Sequence, residues 1–236
     1  MRKREHREVW RVDLSRALTD DECRARLSDV DWARAQRFRF SQHRRRYLVA
    51  HVALRDLLSV YLGVAARDLS LIDNAYGKPA LADAPGLVFN LSHSEDLALI
   101  ALASHGELGV DVEQCRALPH EDLARRNFSA VESGRLDRLA PGRRHEGFFA
   151  CWTRKEAYIK AKGMGLSIPL DAFAVEADPD RAPALLESHH APEDVGRFRF
   201  WDLPVPHGYR AALAHAPAED VPDDAGVVLR DWNGWQ

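Results

Sequence analysis

Apolar residues recur at helical spacing over two long stretches of this chain and fill several shorter runs between and after them. The first stretch opens at Ser41 and runs through Leu48, Val52, Leu58 and Leu62 to Gly63, where a helix C-terminus takes a glycine. This helix carries Arg46 and Arg55. The second runs from about Glu146 to Lys162, with Phe148, Trp152 and Ile159 on one face and Phe149, Thr153, Glu156 and Lys160 on a neighbouring one. Gly163-Met164-Gly165 follows this helix, which is the wrong order for a dinucleotide fingerprint and suits a C-terminal cap. Tyr76 to Val88, YGKPALADAPGLV, is turn-rich and leads into three short strands, Val88 to Leu91, Leu97 to Ala103 and Gly109 to Glu113, spaced as a meander. Helical composition returns through Phe128 to Leu139, and a basic loop, Pro141 to His145, precedes the second long helix. Phe173 to Glu176, Phe198 to Leu203 and Tyr209 to Ala214 read as strands, with loops over Asp178 to Val195 and Ala216 to Gly226. Helix followed by strands occurs in both halves, which predicts an α+β fold of two similar subdomains, residues 1–107 and 108–236.

Composition narrows this picture. With 46% hydrophobic residues in 236, the chain can bury a sizeable core. A net charge of −3 argues against bulk binding of nucleic acid, although Arg44-Arg45-Arg46 and Arg125-Arg126 make local basic patches. Cys23, Cys115 and Cys151 are widely spaced, so neither a disulfide framework nor a zinc site is expected, and a reducing cytoplasm fits. Met1 to Glu8 is charged without an apolar run, and the longest apolar stretch, Leu97 to Ala103, is too short to span a bilayer. Neither export nor a membrane role is expected.

The candidate chemistry lies in three segments. In LGVDVE, Leu108 to Glu113, strand alternation puts Asp111 and Glu113 on one face and Val110 and Val112 on the other. Alternating acids are ordinarily a solvated face, but this strand is otherwise apolar, so its carboxylates call for a cation or hydrogen bonds. Such oxygen ligands suit Mg²⁺, which completes its shell with water and substrate phosphate. Glu156 and Lys160 alone would read as a surface i, i+4 pair worth roughly 0.3 to 0.5 kcal/mol. Trp152, on an apolar stripe, reads as core. FNLSHS, Phe89 to Ser94, places hydroxyls and an imidazole at a strand end, a plausible phosphate cradle if the chain turns there. A hydrolytic triad is disfavoured, because no GxSxG elbow accompanies these serines.

In order, YGKP (Tyr76 to Pro79), FNLSHS, GVDVE (Gly109 to Glu113) and FFACWTRKEAYIKAKGMGLSIPLDAF (Phe148 to Phe173) resemble the Sfp-type 4′-phosphopantetheinyl transferases over about residues 30 to 175. The resemblance implies transfer of the phosphopantetheine arm of coenzyme A to a serine of an apo acyl or peptidyl carrier protein, releasing adenosine 3′,5′-bisphosphate. It implies a pseudo-twofold pair of α+β halves with coenzyme A in the cleft between them. Asp111, Glu113 and Glu156 would hold Mg²⁺, while Lys155 and Lys160 would neutralise phosphoryl charge. Ser92 and His93 would bind phosphate oxygens, and Lys78 and Pro79 would line the adenine pocket. Arg46, with Arg34 and Arg37 as further candidates, would meet the 3′-phosphate. Glu132, in NFSAVES, matches a further acid near the site, and Trp152 would pack close by. Glu156 is the candidate base for the carrier serine, Glu113 the alternative. Since one chain supplies both halves, a monomer is expected. A non-catalytic coenzyme A binding module and a metal-dependent phosphohydrolase stand as alternatives built on the same residues.

Overall fold

A computed structural model describes residues 7–82, 86–218 and 226–234. The charged residues 1–6, the middle of the turn-rich segment at 83–85 and most of the expected loop at 216–226 lie outside the described residues. In chain order the elements are β1 (Arg7–Asp13), α1 (Asp20–Arg24), α2 (Asp29–Ala35), α3 (Ser41–Leu62), β2 (Leu71–Asp73), β3 (Pro79–Leu81), β4 (Val88–Ser94), β5 (Leu97–Ala103) and β6 (Glu107–Gln114). They continue with α4 (His120–Asn127), α5 (Ala130–Arg138), α6 (Arg144–Lys162), β7 (Phe173–Val175), β8 (Leu185–Ser188), β9 (Arg199–Asp202), β10 (Tyr209–Ala216) and β11 (Val228–Trp232). Among the described residues, no helix is long and apolar enough to cross a membrane.

The two halves share one plan, a long helix laid on a sheet that is antiparallel apart from the β1–β11 pair. In the first, α3 covers a sheet of order β11-β1-β5-β4; in the second, α6 covers a sheet of order β6-β10-β9. Both helices end at a left-handed glycine, Gly63 at φ 67° and Gly163 at φ 64°, whose N–H returns to the carbonyl four residues back. The sheets meet face to face. Ala98, Ile100 and Leu102 of β5 pack toward α3, while Leu97, Leu99, Ala101 and Ala103 meet Leu108, Val110 and Val112 of β6 and Ala211 and Leu213 of β10. Every residue of β5 is therefore buried, which is why LALIALA reads as a continuous apolar run instead of an alternating one.

Three expectations change. The meander stops at the β4–β5 hairpin: β5 has β4 on one edge and β1 on the other, so β6 has no edge to join and pairs with β10 in the second sheet. β8, which pairs with β7, lies inside the stretch expected to be loop. The last strand, β11, runs parallel to β1, so residues 228–232 complete the first sheet and the chain does not divide cleanly at residue 107.

Candidate active site

The candidate site lies where β4, at the edge of the first sheet, meets β6, at the edge of the second, beneath the last turns of α6. Gly109 makes the close approach possible. A Cβ there would sit 2.1 Å from the carbonyl oxygen of Ala157 and 2.3 Å from the amide nitrogen of Ala161, so only glycine lets β6 lie against the backbone of α6. Two residues on, Asp111 emerges next to Lys160. The Lys160 Nζ donates to Asp111 Oδ1 at 2.6 Å and to Ser92 Oγ at 2.8 Å.

No backbone ladder joins β4 to β6. Side chains replace it: Asn90 Oδ1 accepts the Val110 N–H at 2.8 Å, Ser92 Oγ the Val112 N–H at 3.4 Å and Ser94 Oγ the Gln114 N–H at 3.1 Å. The two hydroxyls donate in turn, Ser92 to Asp111 Oδ1 at 2.9 Å and Ser94 to Glu113 Oε2 at 3.0 Å. FNLSHS is thus a strand whose alternate polar residues form a seam, and the expected phosphate-cradling turn is absent. The reason is that the whole motif is committed to pairing with β5. Ser92 is buried and its hydroxyl is saturated by protein partners, one donated and two accepted bonds, which leaves it no capacity for a phosphate oxygen. Asn90 carries no expectation from the sequence, and the Ser94 hydroxyl, expected in a phosphate cradle, serves the seam instead. The available signal was polar residues at every second position of an otherwise apolar strand.

Three carboxylates feel one another here. Burial, then the charge of Asp111, pushes the Glu156 and Glu113 carboxyls above the usual carboxylate range, with Lys160 opposing both. Among the described residues no three His, Cys, Asp or Glu side chains form a ready-made metal centre. The donor chemistry nonetheless suits a hard cation. Asp111 Oδ2 is buried with no hydrogen-bond partner, an orphaned acceptor of the kind Mg²⁺ takes together with waters and substrate phosphate.

Two hollows adjoin beside this cluster, sharing part of their lining. One, of about 280 Å³, is lined by Tyr76, Leu91, Glu156, Lys160 and Leu166. The other, of about 530 Å³, is lined by Asp31, Arg34, His51 and Leu71. Gly77, Pro79, Asn90 and Leu91 line both, making one groove from Arg34 to Lys160 on the scale of a pocket for an extended ligand. Pro79 sits at its waist. His93 stands on the β4 face opposite Ser92, exposed at one side while its ring is partly desolvated; that desolvation, then the positive fields of Lys160, Arg46 and His43, hold its pKa down.

Other expected site residues lie elsewhere. Lys78 lines the smaller hollow, but its ammonium donates to the carbonyls of Leu108 (2.9 Å) and Ala161 (3.0 Å), which ties the Tyr76–Pro79 loop to β6 and α6. Burial lowers its pKa to about 8. Asn74 adds a bond to the Gly163 carbonyl. Arg46 is not free for a phosphate: Nε donates to Asp96 at 2.9 Å and Nη2 to Glu95 at 2.7 Å, so two carboxylates of the β4–β5 turn already neutralise it. Lys155 points away from the groove. Its fully buried ammonium donates to Glu132 at 2.5 Å and to the Phe173 carbonyl at 2.8 Å, and Glu132 also accepts the Val175 N–H. Lys155 and Glu132 therefore bind α6 to α5 and β7. Trp152 stacks on Phe148 at 5.8 Å in the same core. Arg34 and Arg37 are exposed, and Arg34 lies over the Tyr47 ring at 5.7 Å.

Known protein families match both halves of the chain. Residues 107–214 match the 4′-phosphopantetheinyl transferase superfamily, and residues 21–105 match the description "4′-phosphopantetheinyl transferase, N-terminal". The chain is 37% identical over 236 residues to the 4′-phosphopantetheinyl transferase HetI of Nostoc sp. (strain PCC 7120), covering 97% of this chain and 89% of that protein. It is 29% identical to ffp of Bacillus subtilis and 28% identical to Sfp of Bacillus subtilis (strain 168), both named 4′-phosphopantetheinyl transferases; each match covers 93% of this chain and 96% of the relative. The two matched segments are the two halves whose edges meet at the β4–β6 seam, and the chain belongs to the 4′-phosphopantetheinyl transferase superfamily.

Proposed function

We propose that the protein transfers the 4′-phosphopantetheine group of coenzyme A to a serine of an apo acyl or peptidyl carrier protein, releasing adenosine 3′,5′-bisphosphate. The observation that carries this reading is the groove from Arg34 to Lys160. Its two hollows have volumes of about 530 and 280 Å³, and the smaller one reaches a lysine paired with a buried aspartate that retains an unused oxygen.

The adenine half of coenzyme A would lie past Pro79, with the 3′-phosphate toward Arg34. The paired Arg46 is the weaker candidate for that phosphate. The pyrophosphate would reach Lys160, which supplies a cation at the transferring phosphoryl group. Asp111, with Glu113 and Glu156 beside it, would hold Mg²⁺, which when bound offsets the negative charge of the pyrophosphate. Glu156 faces the smaller hollow and has a raised pKa, which suits it to accept the proton of the attacking serine hydroxyl. Catalysis in this scheme is positioning and electrostatics, because the phosphoryl transfer needs no covalent intermediate on the protein. We place the enzyme in the cytoplasm as a monomer, since one chain provides both walls of the groove.

The test is incubation of the protein with coenzyme A, Mg²⁺ and an apo carrier domain, followed by intact mass of the carrier. The expected result is one added phosphopantetheine, lost when the carrier serine is replaced by alanine. No mass gain would leave a binding module, and coenzyme A consumed without carrier would indicate a hydrolase; either outcome overturns the proposal.

A further inference from the structure

The β4–β6 seam has a regularity that the transferase reading does not require. At both serine rungs, a residue of β4 bonds the carboxylate 19 positions later and accepts the backbone N–H 20 positions later: Ser92 to Asp111 and Val112, Ser94 to Glu113 and Gln114. The Asn90 rung accepts the Val110 N–H in the same way but faces Gly109 in place of an acid. A hydroxyl can do both jobs because it carries one donor and two acceptor lone pairs. An amide oxygen can do only the accepting one. The pattern thus places hydroxyls where β6 presents acids and an amide where it presents glycine.

We infer that Ser92 and Ser94 are positioning residues, each fixing a site carboxylate to the same atom that fastens the two sheets together, so that closure of the seam and aim of the acids are one event. This deepens the proposed transferase reading and rests on it only for the identity of the cation. Ser94 is the cleaner probe, since Ser92 also touches Lys160. The inference predicts that loss of the Ser94 hydroxyl loosens the Gln114 amide and misaims Glu113 together. Partners that orient a metal-binding side chain are typically worth about 10- to 100-fold in metal affinity.

The experiment uses the full chain as wild type, Ser94→Ala, Ser94→Thr and Asn90→Ala. Hydrogen exchange is read at the amides of Val110 and Gln114, and Mn²⁺ binding in the presence of saturating coenzyme A is read by calorimetry. Ser94→Ala should speed exchange at Gln114 and weaken Mn²⁺ binding by about 10-fold or more. Ser94→Thr, which keeps a hydroxyl, should restore both. Asn90→Ala should speed exchange at Val110 and leave Gln114 unchanged, since its rung accepts only the Val110 N–H. If Ser94→Ala does not fold, Ser94→Cys takes its place, because a thiol of similar size is a poor donor and acceptor. Faster exchange at Gln114 with unchanged Mn²⁺ affinity, or weaker Mn²⁺ binding with unchanged exchange at Gln114, would overturn the inference. Failure of wild type to modify carrier would count against the transferase reading alone, and the exchange arm would still decide whether the seam exists.

Discussion

The two long helices occupy equivalent places, each on its own sheet and each ending at a left-handed glycine, yet their charged residues do different work. On α3, Arg46 and Arg55 are spent on local structure: Arg46 on the β4–β5 turn, Arg55 on Asp31 and the carbonyls of Ala66 and Leu69. On α6, Arg154 and Lys155 are likewise buried and structural, but Glu156 and Lys160 turn toward the groove. The difference comes from the strands beneath. α6 meets Gly109, whose missing side chain lets the acids of β6 rise beside the helix, whereas α3 rests on the aliphatic Ala98, Ile100 and Leu102. One plan used twice therefore yields a scaffold half and a chemical half. The scaffold half contributes the polar edge of β4 and the lining of the larger hollow.

The largest expected effect separates those halves at the carboxylate. Asp111→Ala should lower carrier modification by about a thousandfold or more, roughly 4 kcal/mol in barrier height, while circular dichroism remains native. A near wild-type rate would move the chemistry away from β6. Next comes the buried pair on the far side of α6. Breaking it with Lys155→Met or Glu132→Gln alone should cost about 3–5 kcal/mol by leaving a buried charge unpaired, whereas the double replacement should cost much less. Urea unfolding of the three variants measures this. If Lys155→Met instead folds with full stability and loses only turnover, Lys155 belongs to the site after all.

Much of the architecture could be read from the residues. Helix α3 and its glycine cap, the β4–β5 hairpin and the α6 pattern all follow from local periodicity and capping. The sequence could not reveal which way a charged side chain turns. Lys155 and Lys160 differ by five positions on one helix and end in opposite environments, one buried against Phe173 and one at Asp111. Arg46 looked free because its partners, Glu95 and Asp96, lie in a turn about fifty residues away. The strands β1 and β11 carry no local signal of their pairing, because their partners lie some 220 residues apart. At the site, the structure brings Asp111, Glu113, Glu156 and Lys160 close to one another, whereas the seam was hidden because the strand was expected to end at Leu91 and the residues after it to turn.

A smaller effect probes the contact that distinguishes α6 from α3. Gly109→Ala should destabilise by about 1–3 kcal/mol, because β6 must retreat from the helix backbone, and it should reduce activity as Asp111 leaves Lys160. Unfolding and turnover measured together test this; unaffected turnover would mean that the close approach does not set the site. The smallest effect is one of pH. The Glu156 carboxyl is raised by burial and then by Asp111, so the folded state binds that proton more readily than the unfolded chain. Its contribution must fall as pH rises from the ordinary carboxylate range through the raised value. Without added metal, Glu156→Gln should match wild type in melting temperature at acidic pH and exceed it increasingly toward neutral. A constant difference across that window would remove the coupling among the three acids.

The most direct test of the account is a crystal structure of the full chain with coenzyme A and Mg²⁺. It should show the nucleotide running along the groove past Pro79, the 3′-phosphate toward Arg34 with Arg46 still bound to Glu95 and Asp96, and the pyrophosphate at Lys160 with the cation on Asp111 Oδ2. Coenzyme A seated instead in the hollow between α4, α5 and α6 near His120 and Arg144, or phosphate on a released Arg46, would contradict it.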